Sequence, residues 1–389
     1  MWGRNKTFMA RVLFNLPSQH AGRPSGVANF AFQLLDNLIG KSGFDYVLRS
    51  PWTREQLPES LRNKTFDIVT VPRPSFLLLD VFRQALLFRY VCRRLDIDLV
   101  VNLDPYGASA GGLARAMIVH DLYFRTLPQR VRRSSLLTSD LIFRIMLLGN
   151  SEIITVSNST KRDLEAWYPQ SRGRVTTIYS ATSLHPAPSD HSPDEITGRY
   201  VLAVGNATLN KNFGLLAEAM ASVHEALSDV TLVYVGSDPE HTVTTTLNNL
   251  GSSLRLVHLS GIDEARLSRL YRGASCLCVP SLYEGFCFPI LEAQVSGCPV
   301  LCSDRPAMPE IAGEGALIFD PTDAKALADS ILNVLQDPAM SNALVQRGYN
   351  NASRFSWDAA AREYESVFCR LLEKATAKSI GQVRKSRLA

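Results

Sequence analysis

Short apolar runs of strand length alternate with helix-length segments that carry one apolar face, from near residue 10 to the last quarter of the chain. That alternation is the pattern of parallel strands joined by crossover helices. In the first half it predicts strands near 10–14, 45–49, 66–71, 98–103, 115–120, 152–156 and 174–178. From Ser183 to Glu195 the pattern stops in a stretch rich in proline and poor in large apolar residues, which reads as a linker. It restarts with strands near 200–204, 230–235, 254–258, 275–279, 299–302 and 315–319. The expected organisation is a Rossmann-like domain over 9–180, a linker over 181–198 and a second Rossmann-like domain over 199–355. A helix follows over 356–373, then a basic, disordered tail over 374–389 carrying Lys374, Lys378, Arg384, Lys385 and Arg387.

Length agrees with two cores, since 389 residues exceed one typical domain. A 46% apolar content describes a globular protein with much to bury. The net charge of +4 leaves no nucleic-acid footprint, but the cations are unevenly spread. Arg83, Arg89, Arg93 and Arg94 lie among Phe82, Leu86, Leu87, Phe88, Tyr90 and Val91; Arg130, Arg132 and Arg133 precede Leu136, Leu137 and Leu141. Both stretches fit amphipathic helices packed on a sheet, the reading preferred for 79–95; for the second, peripheral contact with an anionic membrane stays open beside it. No run reaches the ~18 apolar residues of a membrane span, and no signal-peptide pattern opens the chain. Seven cysteines show no paired or zinc-like spacing. Cys276, Cys278, Cys298 and Cys302 fall on strand-like segments, which reads as buried thiols in a cytoplasmic protein.

The most informative segment is residues 280–293, Pro-Ser-Leu-Tyr-Glu-Gly-Phe-Cys-Phe-Pro-Ile-Leu-Glu-Ala. Two carboxylates and a glycine turn have no place in a buried strand, so the segment needs a polar purpose. It leads from a strand into a helix that Pro289 can open. The backbone amides of Phe286, Cys287, Phe288, Pro289 and Ile290 would then surround a point where an anion is stabilised. Glu284 can accept hydrogen bonds from sugar hydroxyls, and Glu292, one turn into the helix, can hold a ribose diol. Lys211 stands just before another helix, where a cation opposes the dipole unless an anion lies between them. Gly26, behind Ser25, lets backbone approach a phosphate at a third helix start. Asp96-Ile97-Asp98 precedes a strand rather than following one and reads as a solvated turn; no metal and no cofactor is expected.

The 280–293 segment resembles the Glu-x7-Glu signature of the glycosyl transferases group 1 family, the retaining glycosyltransferases of family 4. Further matches run in order: 204–212, Leu270 to Ala274, Gly297 to Val300, Pro309 to Gly313, and more thinly Ser25-Gly26-Val27, Val119-His120-Asp121 and Thr155-Val156-Ser157. The resemblance implies the GT-B fold, an α/β architecture of two Rossmann-like domains whose parallel sheets face a cleft. It implies an N-terminal acceptor-binding domain, a C-terminal nucleotide-sugar-binding domain, and a closing helix that returns to the first. It assigns catalysis to His120, Lys211 and Glu284. Donor binding falls to Gly26, Asn206, Lys211, Gly261, Glu284, Gly285, Phe286, Cys287, Phe288, Pro289, Ile290 and Glu292. His120 would position the sugar or steer a proton, although a histidine at a strand end also serves simply as a backbone hydrogen-bonding cap. Asparagine stands at 206 and 210, where the family often has arginine.

The implied activity is retaining transfer of a hexose, with GDP-mannose the expected donor, to a glycan or lipid-linked glycan hydroxyl in bacterial surface polysaccharide synthesis. Two alternatives remain at this stage: a non-catalytic GT-B subunit supporting a partner transferase, and a sugar-nucleotide epimerase.

Overall fold

The structure, a computed structural model, describes residues 9–17, 25–41, 43–71, 88–104, 113–130, 133–186, 196, 198–238 and 240–388. Outside them lie Arg83 and its apolar neighbours up to residue 87, Arg132, and most of the expected linker. The chain divides into two compact units. The first comprises Met1–Val156, Thr160–Ser180 and Trp357–Ala389, the second Ser157–Ser159 and Ala181–Ser356.

In the first unit the strands are β1 (Ala10–Asn15), β2 (Phe44–Ser50), β3 (Asp67–Thr70), β4 (Leu99–Asn102), β5 (Ala114–Val119), β6 (Glu152–Thr155) and β7 (Val175–Thr177). They form one parallel sheet in the order β3-β2-β1-β4-β5-β6-β7. The second unit has β8 (Tyr200–Val204), β9 (Thr231–Val235), β10 (Arg255–Leu259), β11 (Cys276–Val279), β12 (Val300–Ser303) and β13 (Ala316–Phe319). Their order is β10-β9-β8-β11-β12-β13, again all parallel. Every strand lies within about a residue of its expected position. The reason is physical: a parallel sheet covered on both faces needs strands that are apolar throughout. β4, β6, β9, β11 and β12 are buried at every position.

Helices close each sheet by burying one stripe. In the second unit Phe213, Leu216 and Met220 of the helix Phe213–Ala226 join Leu327 and Ile331 of the helix Ala324–Gln336 over Val201, Leu232 and Tyr234. In the first unit the last helix, Trp357–Leu388, buries Trp357, Ala361, Tyr364, Phe368 and Leu371, a stripe at helical spacing. Phe368 meets Phe14 of β1 at 6.1 Å and Phe44 of β2 at 6.0 Å. This helix does not end near Leu372 but continues through the basic residues expected to be a disordered tail. Alanine, lysine, arginine and glutamine favour helix, and no proline interrupts them.

In both sheets the strand order reverses once, between β1 and β4 and between β8 and β11. Ligands of open α/β sheets bind beyond the carboxyl ends of strands at such a switch point. At that edge of the second sheet the backbone is tight. Gly205, after β8, and Gly236, after β9, have φ of +134° and +153°. A Cβ on Gly236 would lie 1.9 Å from the Gly205 carbonyl oxygen, a backbone atom that cannot swing away. Gly236→Ala should therefore cost about 1–3 kcal/mol, measured as a lower urea midpoint with an unchanged denaturant slope.

Candidate functional site

The strands β8 and β11 are neighbours across the switch point of the second sheet, so the segments that leave their carboxyl ends emerge side by side. The first segment makes a short 3-10 turn, Leu209–Lys211, and enters the helix Phe213–Ala226 through Asn212, whose φ of 54° is left-handed. The Asn212 side-chain amide donates to the Pro321 carbonyl at 2.9 Å and pins this entry. Asn206 accepts from the Ser237 amide at 3.2 Å. Asn210 donates to the Tyr283 carbonyl at 3.3 Å, and its own carbonyl accepts from the Leu282 amide at 2.7 Å. The two asparagines therefore fasten the Lys211 turn, one to the loop after β9 and the other to the approach to Glu284. Their short amides suit that role better than a long guanidinium would.

Held in this way, Lys211 Nζ lies 2.6 Å from Glu284 Oε1, with side chains only 18% and 14% exposed. Burial disfavours the ammonium, but the carboxylates of Glu284 and Glu292 outweigh it and hold the Lys211 amine above its ordinary value. Ser281 Oγ donates to Glu284 Oε1 at 2.7 Å, giving the carboxylate a second fixed partner. Gly205 leaves room for the lysine stem, since a Cβ there would come 3.3 Å from Lys211 Cε.

Beyond Glu284 and Gly285 the chain turns through Cys287, which has φ 73° and ψ 70° and caps the helix Phe288–Val295, with Pro289 in the first turn. A non-glycine residue in this conformation costs roughly 1–2 kcal/mol. Phe286, packed on Phe288 at 5.1 Å and Phe355 at 5.9 Å, holds the turn from behind. The cluster of open amides expected over 286–290 is smaller than the sequence suggested. The Ile290 amide already donates to the Cys287 carbonyl at 3.2 Å because the cap closes the turn, and Pro289 has no N–H. Phe286, Cys287 and Phe288 supply the remaining amides. One turn on, Glu292 Oε2 accepts from the Tyr271 hydroxyl at 2.7 Å. Burial lifts the Glu292 carboxyl above its ordinary range, against the Tyr271 hydrogen bond and the Lys211 charge. Gly261 follows β10 with φ +66°, and a Cβ there would meet nothing within 4 Å.

The other sequence-assigned residues belong to the first unit. Gly26 opens the helix Gly26–Leu38, where Ser25 Oγ accepts from the Ala28 amide at 3.3 Å. Asp98 is committed to the Arg11 amide at 2.8 Å, in keeping with a turn. His120 follows β5, and its Nε2 lies 3.0 Å from the Leu103 carbonyl. A carbonyl only accepts, so Nε2 carries the proton and Nδ1 is left as the acceptor. The ring edge rests on Phe30 at 4.8 Å and 83°. Burial pushes the imidazole down to about 4, so His120 is neutral near pH 7. This is the backbone-bonding arrangement of a strand-end histidine.

Tyr271, Ser281 and the fastening roles of Asn206 and Asn210 were not legible in the sequence. Leu270 to Ala274 stood out as a motif, but nothing local to it points at a carboxylate 21 residues away.

The unfolded chain binds a proton on His120 near pH 6.5, and the folded chain does so only near pH 4. Between these values the unfolded state holds more protons, so stability falls as pH drops through this window. The expected loss is on the order of 3 kcal/mol. His120→Gln should flatten it, as urea unfolding from pH 4 to 7 would report.

Comparison with known proteins extends these observations. The model described as Glycosyl transferases group 1 matches residues 190–351, and the one described as Glycosyltransferase Family 4 matches residues 24–185. The chain is 30% identical over 261 residues to O-antigen chain mannosyltransferase B of Escherichia coli, covering 61% of this chain and 66% of that protein. It is 27% identical over 206 residues to O-antigen chain mannosyltransferase RfbU of Salmonella typhimurium, covering 53% of this chain and 56% of that one. The chain thus spans just under two thirds of the first relative's length and about half of the second's. Among solved structures, sucrose-phosphate synthase from Thermosynechococcus elongatus superposes with a TM-score of 0.75 at 20% identity, covering 94% of this chain and 100% of that one. WaaG, a glycosyltransferase involved in lipopolysaccharide biosynthesis, gives a TM-score of 0.70 at 17% identity, covering 92% of this chain and 99% of that one.

Proposed function

We propose a function from one premise: the chain belongs to the glycosyl transferases group 1 family and has the GT-B fold. It is a hexosyltransferase that moves mannose from GDP-mannose to a hydroxyl of a glycan or lipid-linked glycan, with retained anomeric configuration. The observation that carries the reading is the pairing of Lys211 with Glu284 at the switch point of the second sheet, with Glu292 one helical turn away. The mannosyltransferase relatives support the choice of sugar.

The barrier to such a transfer is departure of a charged nucleoside diphosphate from an oxocarbenium-like carbon. Lys211 answers the developing charge on the leaving group with a fixed cation whose position costs no reorganisation during reaction. The amides of Phe286, Cys287 and Phe288 add dipoles beside it. Glu284, anchored by Ser281 and Lys211, accepts from sugar hydroxyls and sets the orientation of the anomeric carbon. Glu292 takes the ribose. In this reading neither glutamate attacks, because both are already engaged in binding. The acceptor hydroxyl enters on the face from which the diphosphate departs, and the leaving phosphate takes its proton. His120, neutral and with Nδ1 as acceptor, orients a hydroxyl of the sugar or acceptor.

The test combines a thermal-shift panel of GDP, UDP, dTDP and ADP with turnover on the matching mannose or glucose donors. GDP should stabilise the protein, and Lys211→Ala should abolish the shift. Lys211→Ala and Glu284→Gln should each lower turnover about 10²–10³-fold while the proteins stay folded. The one-bond C1–H1 coupling of the product should match that of the donor sugar. Stabilisation by another nucleotide alone would replace the donor, and inversion would replace the mechanism. Binding without transfer to any acceptor, with both variants unaffected, would favour a supporting subunit.

A further inference from the structure

Glu292 is the carboxylate that the donor reading places on the ribose, yet a glutamate side chain has three rotatable bonds and needs something to aim it. That support comes from another element. Tyr271 lies on the helix Glu264–Gly273, is fully buried, and sends its hydroxyl 2.7 Å to Glu292 Oε2. The second oxygen, Oε1, accepts no hydrogen bond from a described residue and is not among the buried, unpartnered atoms, so it stays accessible. One oxygen is anchored and the other is presented.

We infer that Tyr271 is the positioning residue that aims Glu292 at the ribose hydroxyls of the nucleotide donor, an inference that rests on the donor reading above. The surroundings fit this task. Tyr271 is held at the protonated, donating end of its range by burial and by the Glu292 charge. The groups facing Glu292 are Tyr271 and Glu264 from one helix and Lys211 from the turn after β8, while Cys287 and Cys298 face Tyr271 from the remaining sides. Of these, Tyr271 is the only hydrogen-bond donor to the carboxylate among the described residues. Removing its hydroxyl leaves the ring packing in place but withdraws a bond that favours the ionised form. The carboxyl of Glu292 would then protonate at a higher pH, and a protonated carboxyl accepts the ribose hydroxyls poorly.

The experiment is isothermal titration of GDP, UDP and ADP, and of their 2′-deoxy forms, into wild type, Tyr271→Phe and Glu292→Gln from pH 5 to 8. Wild type should prefer the ribose form of its nucleotide, and Tyr271→Phe should bind that form roughly ten-fold more weakly. The same variant should lose little toward the 2′-deoxy form, and its acid limb should move to higher pH. In turnover, KM for the donor should rise with kcat unchanged. A Tyr271→Phe protein with wild-type affinity and acid limb, or one equally weakened toward both sugars, would overturn the assignment. Wild type supplies a check that needs no variant: its ribose preference should shrink as pH falls, and a pH-independent preference counts against the idea. If wild type binds none of the nucleotides, the donor site itself fails. If Glu292→Gln loses binding and Tyr271→Phe does not, only the role of Tyr271 fails.

Discussion

The candidate site of the second unit is organised around one ion pair, Lys211 with Glu284, made where two strands that are distant in sequence become neighbours. β8 and β11 are separated by two strands and three helices along the chain, yet the reversal of strand order sets them side by side. Only then can the turns that follow them share a lysine and a carboxylate at 2.6 Å. Such a pair is poor evidence for stability, since removing two charges from water costs about what their attraction returns. Its value lies elsewhere. Without ligand, each charge keeps the other desolvated and in place. On the proposed reading, an arriving diphosphate would let Lys211 exchange one anion for another with little rearrangement, while Glu284 keeps Ser281 as a partner.

The surrounding backbone is strained in a way that serves this arrangement. Gly236 approaches the Gly205 carbonyl too closely for any side chain, and Asn212 and Cys287 both take left-handed conformations at helix starts. The two non-glycine residues cost free energy that the packed sheets must supply. Positions like these persist where surrounding structure over-determines them, and they concentrate at functional sites. Here Asn212 adjoins Lys211, and Cys287 lies three residues after Glu284. The same sheets that are apolar at nearly every strand position therefore hold their loops against local preference. Rigidity in the core and strain at its edge are two sides of one design.

That division also explains what could be read in advance. The thirteen strands were legible because a doubly covered parallel sheet forces continuous apolar runs, a local property of sequence. The Glu284 to Glu292 segment was legible because carboxylates, glycine and proline there contradict a buried strand. The closing helix was misjudged at its end because charge was read as disorder, whereas helix propensity alone can carry residues beyond Leu371. Asn206 and Asn210 looked like missing cations. Their meaning emerged only with their partners Ser237 and Tyr283, which sit far away in sequence. Tyr271 escaped for the same reason: a hydroxyl that serves another helix leaves no mark on its own.

His120 was open from the sequence to two readings, a site residue or a backbone cap, and the structure supplies the cap. Its place at the end of β5 was clear from the apolar run before it, and the structure gives it a backbone partner through Nε2. The bond to Leu103 decides the tautomer, burial decides the charge, and together they leave one neutral acceptor nitrogen. Such a group can orient a hydroxyl, but with its protonation suppressed to about pH 4 it is a weak proton acceptor at neutral pH. In the proposed transfer the stronger burden then falls on the leaving phosphate, which becomes the natural base as its bond to the sugar breaks. The proposed reaction would then gain its rate by stabilising the departing diphosphate, and Lys211, with the amides beside Cys287, is the part of the second unit equipped to do it.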